Sequence, residues 1–250
     1  ETCAHAMAGR DVLLFAPTGA GKTLSGFLPS LVDLVEHEVP EHQLHTLYIS
    51  PLKALAVDVH RNLIRPIEET GLEITVETRT GDTPASKRQR QKTKPPHMLM
   101  ITPESLALLL SYEESDQYFK YLKYIVIDEV HALMHSKRGD LLSLNMARLS
   151  DLAPDAARIG LSATVDDTDT AASWLCRPDR AATVTVKEVA KPDIEIMLGT
   201  GRMPWSGHMA TYAIPDVYNK IRDAGMSVVF VNTRAQAELM FQNLWECNED

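Results

Sequence analysis

Two short stretches of this 250-residue sequence carry residues whose types and spacing suit chemistry on a phosphate group. The first runs from Asp11 to Thr23 and reads DVLLFAPTGAGKT. Its apolar residues 12–15 are long enough for a strand, a loop of small residues follows, and Lys22 and Thr23 open a predicted helix. Small side chains let backbone N–H groups converge on phosphate oxygens, and a helix N-terminus adds unpaired N–H donors. The stretch therefore predicts a phosphate-binding loop.

The loop residues suit the binding of a nucleotide. The candidate nucleotide ligands are Thr18, Gly19, Ala20, Gly21, Lys22 and Thr23. Lys22 would reach the β- and γ-phosphates of ATP, and the hydroxyl of Thr23 would hold Mg²⁺. The full pattern of such a loop begins with glycine, whereas this sequence has Ala16 there. Taken alone, the stretch therefore also fits a glycine-rich turn between a strand and a helix.

The second stretch, IVIDE at residues 125–129, ends an apolar strand in two adjacent carboxylates. In nucleotide hydrolysis, Asp128 would order the Mg²⁺ shell, and Glu129 would position and polarise the attacking water. Open α/β sheets bind ligands at the carboxyl ends of their strands, so both side chains are expected beside the phosphate loop. Asp128, Glu129 and Lys22 are therefore the predicted catalytic residues. An acidic helix start is the alternative for the carboxylate pair considered alone.

Alternating strands and helices predict an α/β fold whose parallel sheet carries helices on both faces. Strands are expected at 12–15, 44–50, 72–78, 98–101, 123–127, 158–161, 182–187, 194–198 and 227–231. Helices are expected at 24–35, 54–70, from 103 onward, and at 139–152, 168–175, 214–224 and 234–245. The predicted organisation is a first domain at 1–198, a connector at 199–212, and the truncated start of a second domain at 213–250.

Charge and cysteine content narrow the class of protein. The formal net charge is −9, so nucleic acid would be bound through local basic or N–H-lined patches rather than a general positive field. No apolar run approaches the length of a membrane span, and no signal peptide opens the sequence. Cys3, Cys176 and Cys247 are far apart and form no CxxC pair. They suit reduced thiols of a cytoplasmic protein without a cysteine metal site.

Val130 and His131 extend the acidic pair to D-E-V-H, and with it the chain resembles the core of a superfamily-two DExH-box helicase. Further matches follow in the order of that family: SPLKAL at 50–55, TGDT at 80–83, TPESL at 102–106, SAT at 162–164 and VFVNTR at 229–234. The resemblance implies a RecA-like domain that binds ATP and Mg²⁺, followed by the start of a second RecA-like domain. The arginine fingers of the family belong to later motifs, so residues 1–250 alone are expected to hydrolyse ATP poorly.

The resemblance also implies which residues contact nucleic acid. The candidates are Ser50, Pro51, Leu52, Lys53, Thr80, Gly81, Thr102, Pro103, Glu104, Ser105, Lys137, Arg138, Asn232, Thr233 and Arg234. Hydroxyls, N–H groups and helix starts of this kind bind the phosphate backbone and do not read base edges, so binding without sequence specificity is expected. The residues implied to couple ATP to the nucleic acid are His131, Ser162, Ala163 and Thr164.

Two basic groups keep alternative interpretations. Lys137 and Arg138 also fit a solvated helix start. The basic run at 87–94 fits either a strand-binding patch or a solvated face.

Finer motifs favour the large helicase-related (Lhr-type) branch of the family. HAL at 131–133, SKRG at 136–139 and RIGLSAT at 158–164 fit that branch, while RTGDT at 79–83, PWSGH at 204–208 and NTRAQAE at 232–238 resemble its ligase-associated DNA-repair group. The resemblance implies movement 3′ to 5′ on single-stranded DNA, unwinding of DNA or RNA–DNA duplexes, association with the bacterial nucleoid, and repair partners such as a ligase. The alternatives are an ATP-gated nucleic-acid clamp without processive unwinding, and a motor acting on protein or transport substrates.

Overall fold

The computed structural model describes residues 1–17, 19, 21–37, 39–52, 59, 63–65, 67–69, 71–163, 167–186, 193–197, 199 and 211–248. The chain divides into two compact units, Glu1–Val189 and Ala190–Asp250. The first unit holds the predicted phosphate loop and the acidic pair. The predicted limits of the domains, 1–198 and 213–250, and most of the connector at 199–212 remain predictions.

The first unit is built on one parallel sheet. Its strands are β1 (Asp11–Phe15), β2 (Thr46–Ile49), β3 (Val76–Arg79), β4 (Met98–Ile101), β5 (Tyr124–Ile127), β6 (Ala157–Ser162) and β7 (Ala181–Thr185). They lie in the order β3-β4-β2-β5-β6-β1-β7, and every neighbouring pair is parallel. The parallel α/β sheet predicted from the alternation of elements is therefore confirmed.

The helices connect these strands and cover the sheet. In the first unit they are α1 (Thr2–Met7), α2 (Lys22–Glu36), α3 (Ala85–Thr93), α4 (Pro103–Leu110), α5 (Ser115–Tyr118), α6 (Val130–Met134), α7 (Lys137–Leu152) and α8 (Thr168–Leu175). Residues 63–65 and 67–69 are also helical, and the rest of the helix predicted at 54–70 lies almost entirely outside the described residues. None of the described helices is long and apolar enough to cross a bilayer.

Alternate residues of each strand pack into two cores, one on each face of the sheet. Leu13 and Ile127 belong to one core, which α4, α7 and α8 complete. Leu14 and Val126 belong to the other core, with Phe27 of α2. Because both faces are covered, the central strands are apolar at almost every position, as parallel sheets require. This is why short apolar runs in the sequence predicted their positions.

The order of the strands brings the candidate segments to one edge. The strands β1, β2, β4 and β5 end at Phe15, Ile49, Ile101 and Ile127, and parallel pairing places these ends on the same side of the sheet. The phosphate loop, SPL, TPES and DEVH segments follow these four ends directly. The sheet therefore gathers residues from distant parts of the sequence at its carboxyl edge.

The opposite, amino-terminal edge is fixed by a buried ion pair. The carboxylate of Asp11 is fully buried and accepts hydrogen bonds from Arg177 Nη2 at 2.7 Å and Nε at 2.9 Å. The backbone N–H groups of Arg158 and Arg177 donate to it as well, at 3.0 and 2.8 Å. Burial alone would raise the pKa of Asp11, but these donors outweigh it and hold the pKa below its ordinary value.

Replacing Asp11 by alanine is expected to lower the free energy of unfolding by about 3 kcal/mol, because the Arg177 guanidinium loses its buried partner. Urea denaturation would measure the loss. Asp155→Ala is the matched control, since Asp155 is 98% exposed, lies 3.8 Å from Arg180, and should cost less than about 1 kcal/mol.

The lowered pKa also sets a pH dependence for that difference. A depressed folded-state pKa stabilises the fold above the unfolded value, about 3.9 for aspartate, and the stabilisation is lost as pH falls through the folded value. The gap in stability between the wild-type protein and Asp11→Ala should therefore shrink below about pH 4. A gap that stays constant down to acid unfolding would contradict the role of this carboxylate.

The second unit contains a 3₁₀ turn at Thr211–Ala213 and the helices α9 (Ile214–Asp223) and α10 (Arg234–Glu246). Thr233 caps α10 by accepting from the N–H of Gln236 at 3.2 Å, and the Gln236 side chain accepts from the Thr233 N–H at 3.1 Å. This capping box explains why the helix begins where the sequence predicts.

Two strand predictions in this unit are wrong. Residues 227–231 form no strand, and Val228 and Phe230 are 71% and 91% exposed. The described residues 193–197 likewise form no strand. A strand needs a neighbour to accept its backbone hydrogen bonds, and no strand of this unit lies among the described residues. Both segments have the apolar pattern of a strand, but the described residues provide no strand to pair with either of them.

Candidate nucleotide and nucleic-acid site

The phosphate loop joins the end of β1 at Phe15 to the start of α2 at Lys22. Both of its glycines have left-handed backbones, Gly19 with φ of 84° and Gly21 with φ of 77°. Glycine adopts this conformation without strain, and the absence of Cβ atoms leaves the backbone N–H groups uncovered. Gly21 is also the residue that caps α2, so the loop ends on a helix N-terminus as predicted.

Lys22 lies folded onto the loop that precedes it. Its Nζ donates a buried hydrogen bond to the carbonyl oxygen of Ala16 at 2.7 Å. An ammonium group has three N–H donors, so a phosphate over the loop can accept from the others. Thr23 lies beside it in the first turn of α2 and is partly buried. The other predicted ligands of the loop, Thr18 and Ala20, lie outside the described residues.

Asp128 is held by donors on both carboxylate oxygens. Its own N–H donates to the Ile49 carbonyl at 2.9 Å, which continues the pairing of β5 with β2 by one residue. The Tyr48 hydroxyl donates to Oδ2, and the N–H of Glu129 donates to Oδ1 at 2.9 Å. The side chain is therefore buried and fixed in orientation at the end of the strand.

Tyr48 was not among the predicted site residues. It is the register partner of Val126, two residues before Asp128, so strand alternation places both side chains on the same face of the sheet. Its ring stacks on Phe27 of α2 with 4.9 Å between centroids. Burial, with the charge of Asp128 second, raises the pKa of Tyr48 far above its ordinary value, so the hydroxyl stays a neutral donor. Register combined with alternation could have identified this residue.

Glu129 has a backbone conformation that side chains rarely adopt, with φ of 50°. Such strain in a residue other than glycine is most often found at functional sites. Its Oε2 lies 3.4 Å from His131 Nδ1, and the same nitrogen lies 3.0 Å from Ser162 Oγ. The predicted coupling residues His131 and Ser162 are thus in contact with each other, and His131 also contacts the candidate base Glu129. Ala163 is partly buried beside Ser162, and Thr164 lies outside the described residues.

The predicted Mg²⁺ would have few ligands from this chain. The described residues contain no group of three His, Cys, Asp or Glu side chains placed to hold a metal ion. Mg²⁺ usually keeps several waters and is bound by one or two carboxylates together with substrate phosphates. The oxygens of Asp128 and the hydroxyl of Thr23 fit that smaller role, because each carboxylate oxygen has a second lone pair available.

The hydroxyls of the predicted nucleic-acid segments are largely engaged within those segments. Thr102 caps α4 by accepting from the Ser105 N–H at 3.4 Å, and its own hydroxyl donates to Ser105 Oγ at 3.1 Å. Thr83 Oγ1 accepts from the Thr80 N–H at 2.9 Å. Ser50 is fully buried and binds the backbone two residues on. These hydroxyls shape the loops, so the exposed backbone of the loops is what remains to meet a phosphate.

The remaining predicted nucleic-acid residues differ in position and exposure. Leu52, Gly81 and Lys137 are exposed, Pro51 and Pro103 are buried, and Lys53 lies outside the described residues. Asn232, Thr233 and Arg234 belong to the second unit, around the start of α10. The first unit therefore gathers the candidates at 50–52, 80–81, 102–105 and 137–138 on its own.

Arg138 joins three of these segments. Its guanidinium forms a two-point ion pair with Glu104, in which Nη2 lies 2.9 Å from Oε2 and Nε contacts Oε1. Its Nη1 donates to the carbonyl oxygen of Pro51. The pair lowers the pKa of Glu104 and raises that of Arg138, so both remain charged. The sequence suggested Arg138 as a phosphate contact, but most of its donors serve contacts within the protein.

Replacing Arg138 by glutamine in the full-length protein is expected to weaken binding of single-stranded DNA by about tenfold, because glutamine cannot form the two-point contact and reach the Pro51 carbonyl at once. If Arg138 acts only by connecting these segments, the slope of log affinity against log salt should stay unchanged, since no phosphate loses its cation. Fluorescence anisotropy at several salt concentrations would measure both. Arg148→Gln, on the exposed face of the same helix α7, is the control. A slope reduced by about one would instead show a direct phosphate contact.

The basic side chains of the run at 87–94 are exposed or half-exposed, and all but Lys94 belong to α3. Its charges are partly neutralised by one carboxylate, Glu77 of β3, which lies 2.6 Å from Arg90 Nη2 and 3.8 Å from Lys87 Nζ. Gln91 donates to the same carboxylate at 2.8 Å. One part of the run therefore serves to attach α3 to the edge strand of the sheet.

Comparison with known proteins identifies the protein family to which this fold and the site at the carboxyl edge of its sheet belong. The family described as DEAD/DEAH box helicase matches residues 1–172, and the chain belongs to that family. Among curated relatives it is similar to the ATP-dependent helicase Lhr-Core protein 2 of Thermococcus barophilus, with 35% identity over 94% of this chain and 30% of the relative. It is also similar to the Lhr helicase/probable uracil glycosylase of Mycolicibacterium smegmatis, with 37% identity over 97% of this chain and 17% of the relative.

Solved structures agree with these relatives. The helicase Lhr of Mycobacterium smegmatis, bound to ssDNA and AMP-PNP, has a TM-score of 0.82 and 34% identity, covering 98% of this chain and 33% of that one. The DUF1998 helicase MrfA has a TM-score of 0.77 and 25% identity, covering 98% of this chain and 37% of that one. The resemblance to Lhr-type DExH helicases and the RecA-like fold are thereby confirmed. The chain spans about 30% of the length of the first curated relatives.

Proposed function

We propose that this chain forms the ATP-binding part of an ATP-dependent helicase or translocase that acts on single-stranded nucleic acid. The observation that carries the proposal is the set of contacts at the carboxyl edge of the sheet. That edge carries a phosphate loop with a buried lysine, an oriented aspartate and a strained glutamate, and His131 links that glutamate to Ser162. The matching structure of a relative bound to ssDNA and AMP-PNP supports both ligand classes.

In this proposal, backbone N–H groups of the loop and the ammonium of Lys22 bind the phosphates of ATP. Asp128 and Thr23 would hold Mg²⁺, and the ion would supply positive charge to neutralise the phosphate oxygens. Glu129 accepts a proton from the attacking water. The contact from His131 to Ser162 responds to the state of this site, because a histidine can both donate and accept a hydrogen bond.

Nucleic acid is proposed to bind through its backbone at the segments 50–53, 80–81, 102–105 and 137–138 of the first unit. Residues 232–234 of the second unit are proposed as backbone contacts in their own right. Because these segments offer N–H groups, cations and helix starts, no sequence specificity is expected. Unwinding of DNA or RNA–DNA duplexes, movement 3′ to 5′, a role in DNA repair with partners such as a ligase, and a cytoplasmic site at the nucleoid are finer parts of the proposal. The ligase-associated motifs at 79–83, 204–208 and 232–238 favour them.

Strand displacement by the full-length protein tests the proposal against an ATP-gated clamp. Duplexes of increasing length with one single-stranded tail would be offered at fixed ATP concentration. A helicase is expected to displace strands of all tested lengths, with the yield falling gradually as length increases. An abrupt loss beyond a short duplex would favour the clamp, and ATP-independent displacement would contradict both.

A further inference from the structure

The first unit contains a cavity of about 590 Å³ at the amino-terminal edge of the sheet. Its lining includes Gln43, Lys92, Tyr112, Tyr118, Lys120 and Tyr121. These residues come from the segment before β2, the end of α3, and the region around the ends of α4 and α5. The strands β2 and β4 begin here and end at the opposite edge, so this cavity is separate from the phosphate loop and the DEVH segment.

Two buried polar atoms of the lining have no hydrogen-bond partner. They are the Tyr118 hydroxyl and the side-chain oxygen of Gln43, and the absence of a partner holds for the residues that the structure describes. Tyr118 is only 9% exposed. Buried polar atoms without partners are uncommon in folded proteins, and each requires an explanation. Both atoms are closed to solvent in this structure, so a ligand in the cavity with an acceptor and a donor would satisfy them after a small shift of the lining side chains.

The cavity also carries an excess of positive charge. Lys92 Nζ lies 3.2 Å from the centre of the Tyr112 ring, and Lys120 Nζ lies 5.4 Å from that of Tyr121. Neither lysine forms an ion pair within the described ranges of the chain. Glu114 is the one carboxylate in the lining. Two ammonium groups against one carboxylate favour an anionic ligand.

Lys92 is the member of the basic run that lines the cavity, and it is not one of the residues that attach α3 to the sheet. Lys87 and Arg90 contact Glu77, whereas Lys92, on the last turn of α3, faces the cavity. The basic run therefore divides into a structural part and a part with no carboxylate partner among the described residues.

We propose that this cavity binds a nucleoside monophosphate unit, either as a free nucleotide or as the end of a single strand. Lys92 and Lys120 would bind the phosphate, and the Tyr118 hydroxyl would donate to one of its oxygens. The base would donate an N–H to Gln43 and stack on the half-exposed ring of Tyr121. The volume lies within the range of small-molecule sites, about 300–1,000 Å³.

Binding of dTMP to the full-length protein tests this proposal, measured by isothermal titration calorimetry with saturating AMP-PNP so that the phosphate loop is occupied. Lys92→Gln and Lys120→Gln are each expected to weaken dTMP binding about tenfold, because each removes a charge-assisted hydrogen bond. Lys87→Gln is the matched control on α3 and should bind dTMP as the wild-type protein does. Its Nζ contacts Glu77 and does not line the cavity.

Tyr118→Phe separates a binding role from a structural one. It removes only a hydroxyl that has no partner in the protein, so the melting temperature should stay unchanged or rise while dTMP binding weakens. Displacement of dTMP by 5′-phosphorylated dT6 would identify a strand end as the ligand, and a failure to displace would identify a free nucleotide. The proposal is overturned if dTMP does not bind, or if it binds equally to Tyr118→Phe and both lysine variants.

Discussion

Replacing Glu129 by glutamine is expected to reduce nucleic-acid-stimulated ATP hydrolysis by about 10²–10⁴-fold while leaving ATP binding nearly intact. Glutamine keeps the size and the hydrogen-bonding oxygen of the side chain but cannot accept a proton from water at neutral pH. Glu129 directly follows the oriented Asp128, its backbone is strained, and its carboxylate lies 3.4 Å from His131. Steady-state turnover and the affinity for a fluorescent ATP analogue would be measured side by side.

Glu113→Gln is the matched control, since Glu113 is exposed in the segment between α4 and α5 and far from the carboxyl edge in the topology. It should change neither turnover nor nucleotide affinity. Turnover that persists in Glu129→Gln at the wild-type rate would remove the assigned role of this carboxylate. A loss of ATP affinity equal to the loss of turnover would show a binding role rather than a role in the hydrolysis step.

Replacing Lys22 by alanine is expected to lower ATP turnover by about 10²–10³-fold, because the loop loses the cation that stabilises charge on the transferred phosphate. Nucleotide affinity should fall as well, since the ammonium contacts phosphate in the ground state. The substitution also removes the 2.7 Å hydrogen bond to the Ala16 carbonyl, so the melting temperature must be measured on the same sample. Lys87→Ala, which alters an ion pair with Glu77 on the edge strand, is the control.

The outcomes of this substitution are distinct. Loss of turnover with a folded protein supports a phosphate-binding loop. If turnover and nucleotide affinity are unchanged, Asp11 to Thr23 is only a glycine-rich turn. If the protein unfolds, Lys22→Met becomes the better test, because methionine fills the same buried volume without the charge.

The fold of the first unit followed from short apolar runs in the sequence. The strand Met98–Ile101 and the helix Thr168–Leu175 were predicted to the residue. A parallel strand buried on both faces reads as a continuous apolar run bounded by polar residues, so its limits are sharp. The helix beginning at Pro103 was equally clear, because Thr102 caps it and proline favours the first turn.

The predictions from sequence failed for segments whose secondary structure depends on contacts with another part of the chain. Residues 227–231 read SVVFV, as apolar as the central strands, yet Phe230 is 91% exposed and forms no ladder. The pattern of apolar residues shows whether a segment is suited to be a strand. Whether it forms one depends on a neighbouring strand that can pair with it. The basic run at 87–94 gave no helical period, since nearly every position is polar, and its helix is fixed by contacts to Glu77.

The sequence predicted which residues form the candidate site, but it did not predict most of the contacts between their side chains. Lys22, Asp128, Glu129 and His131 were identified from motifs, and the structure brings them to one edge of the sheet. The hydrogen bond from Tyr48 to Asp128 joins residues 80 positions apart, and no motif links them. The contact of Arg138 with Glu104 spans 34 positions and gives Arg138 a connecting role that its motif did not predict, while its contact with phosphate stays a prediction. Such contacts depend on strand register and helix packing, which a single sequence does not specify.

The central claim is that the carboxyl edge of this sheet couples ATP to single-stranded nucleic acid. ATP hydrolysis by the full-length protein, measured as the concentration of single-stranded DNA is raised, tests it most directly. The rate is expected to rise with DNA until it saturates, and the DNA concentration at half-saturation should increase with salt, because the contacts are to phosphates. Hydrolysis that is the same with and without single-stranded DNA at every salt concentration would contradict the claim.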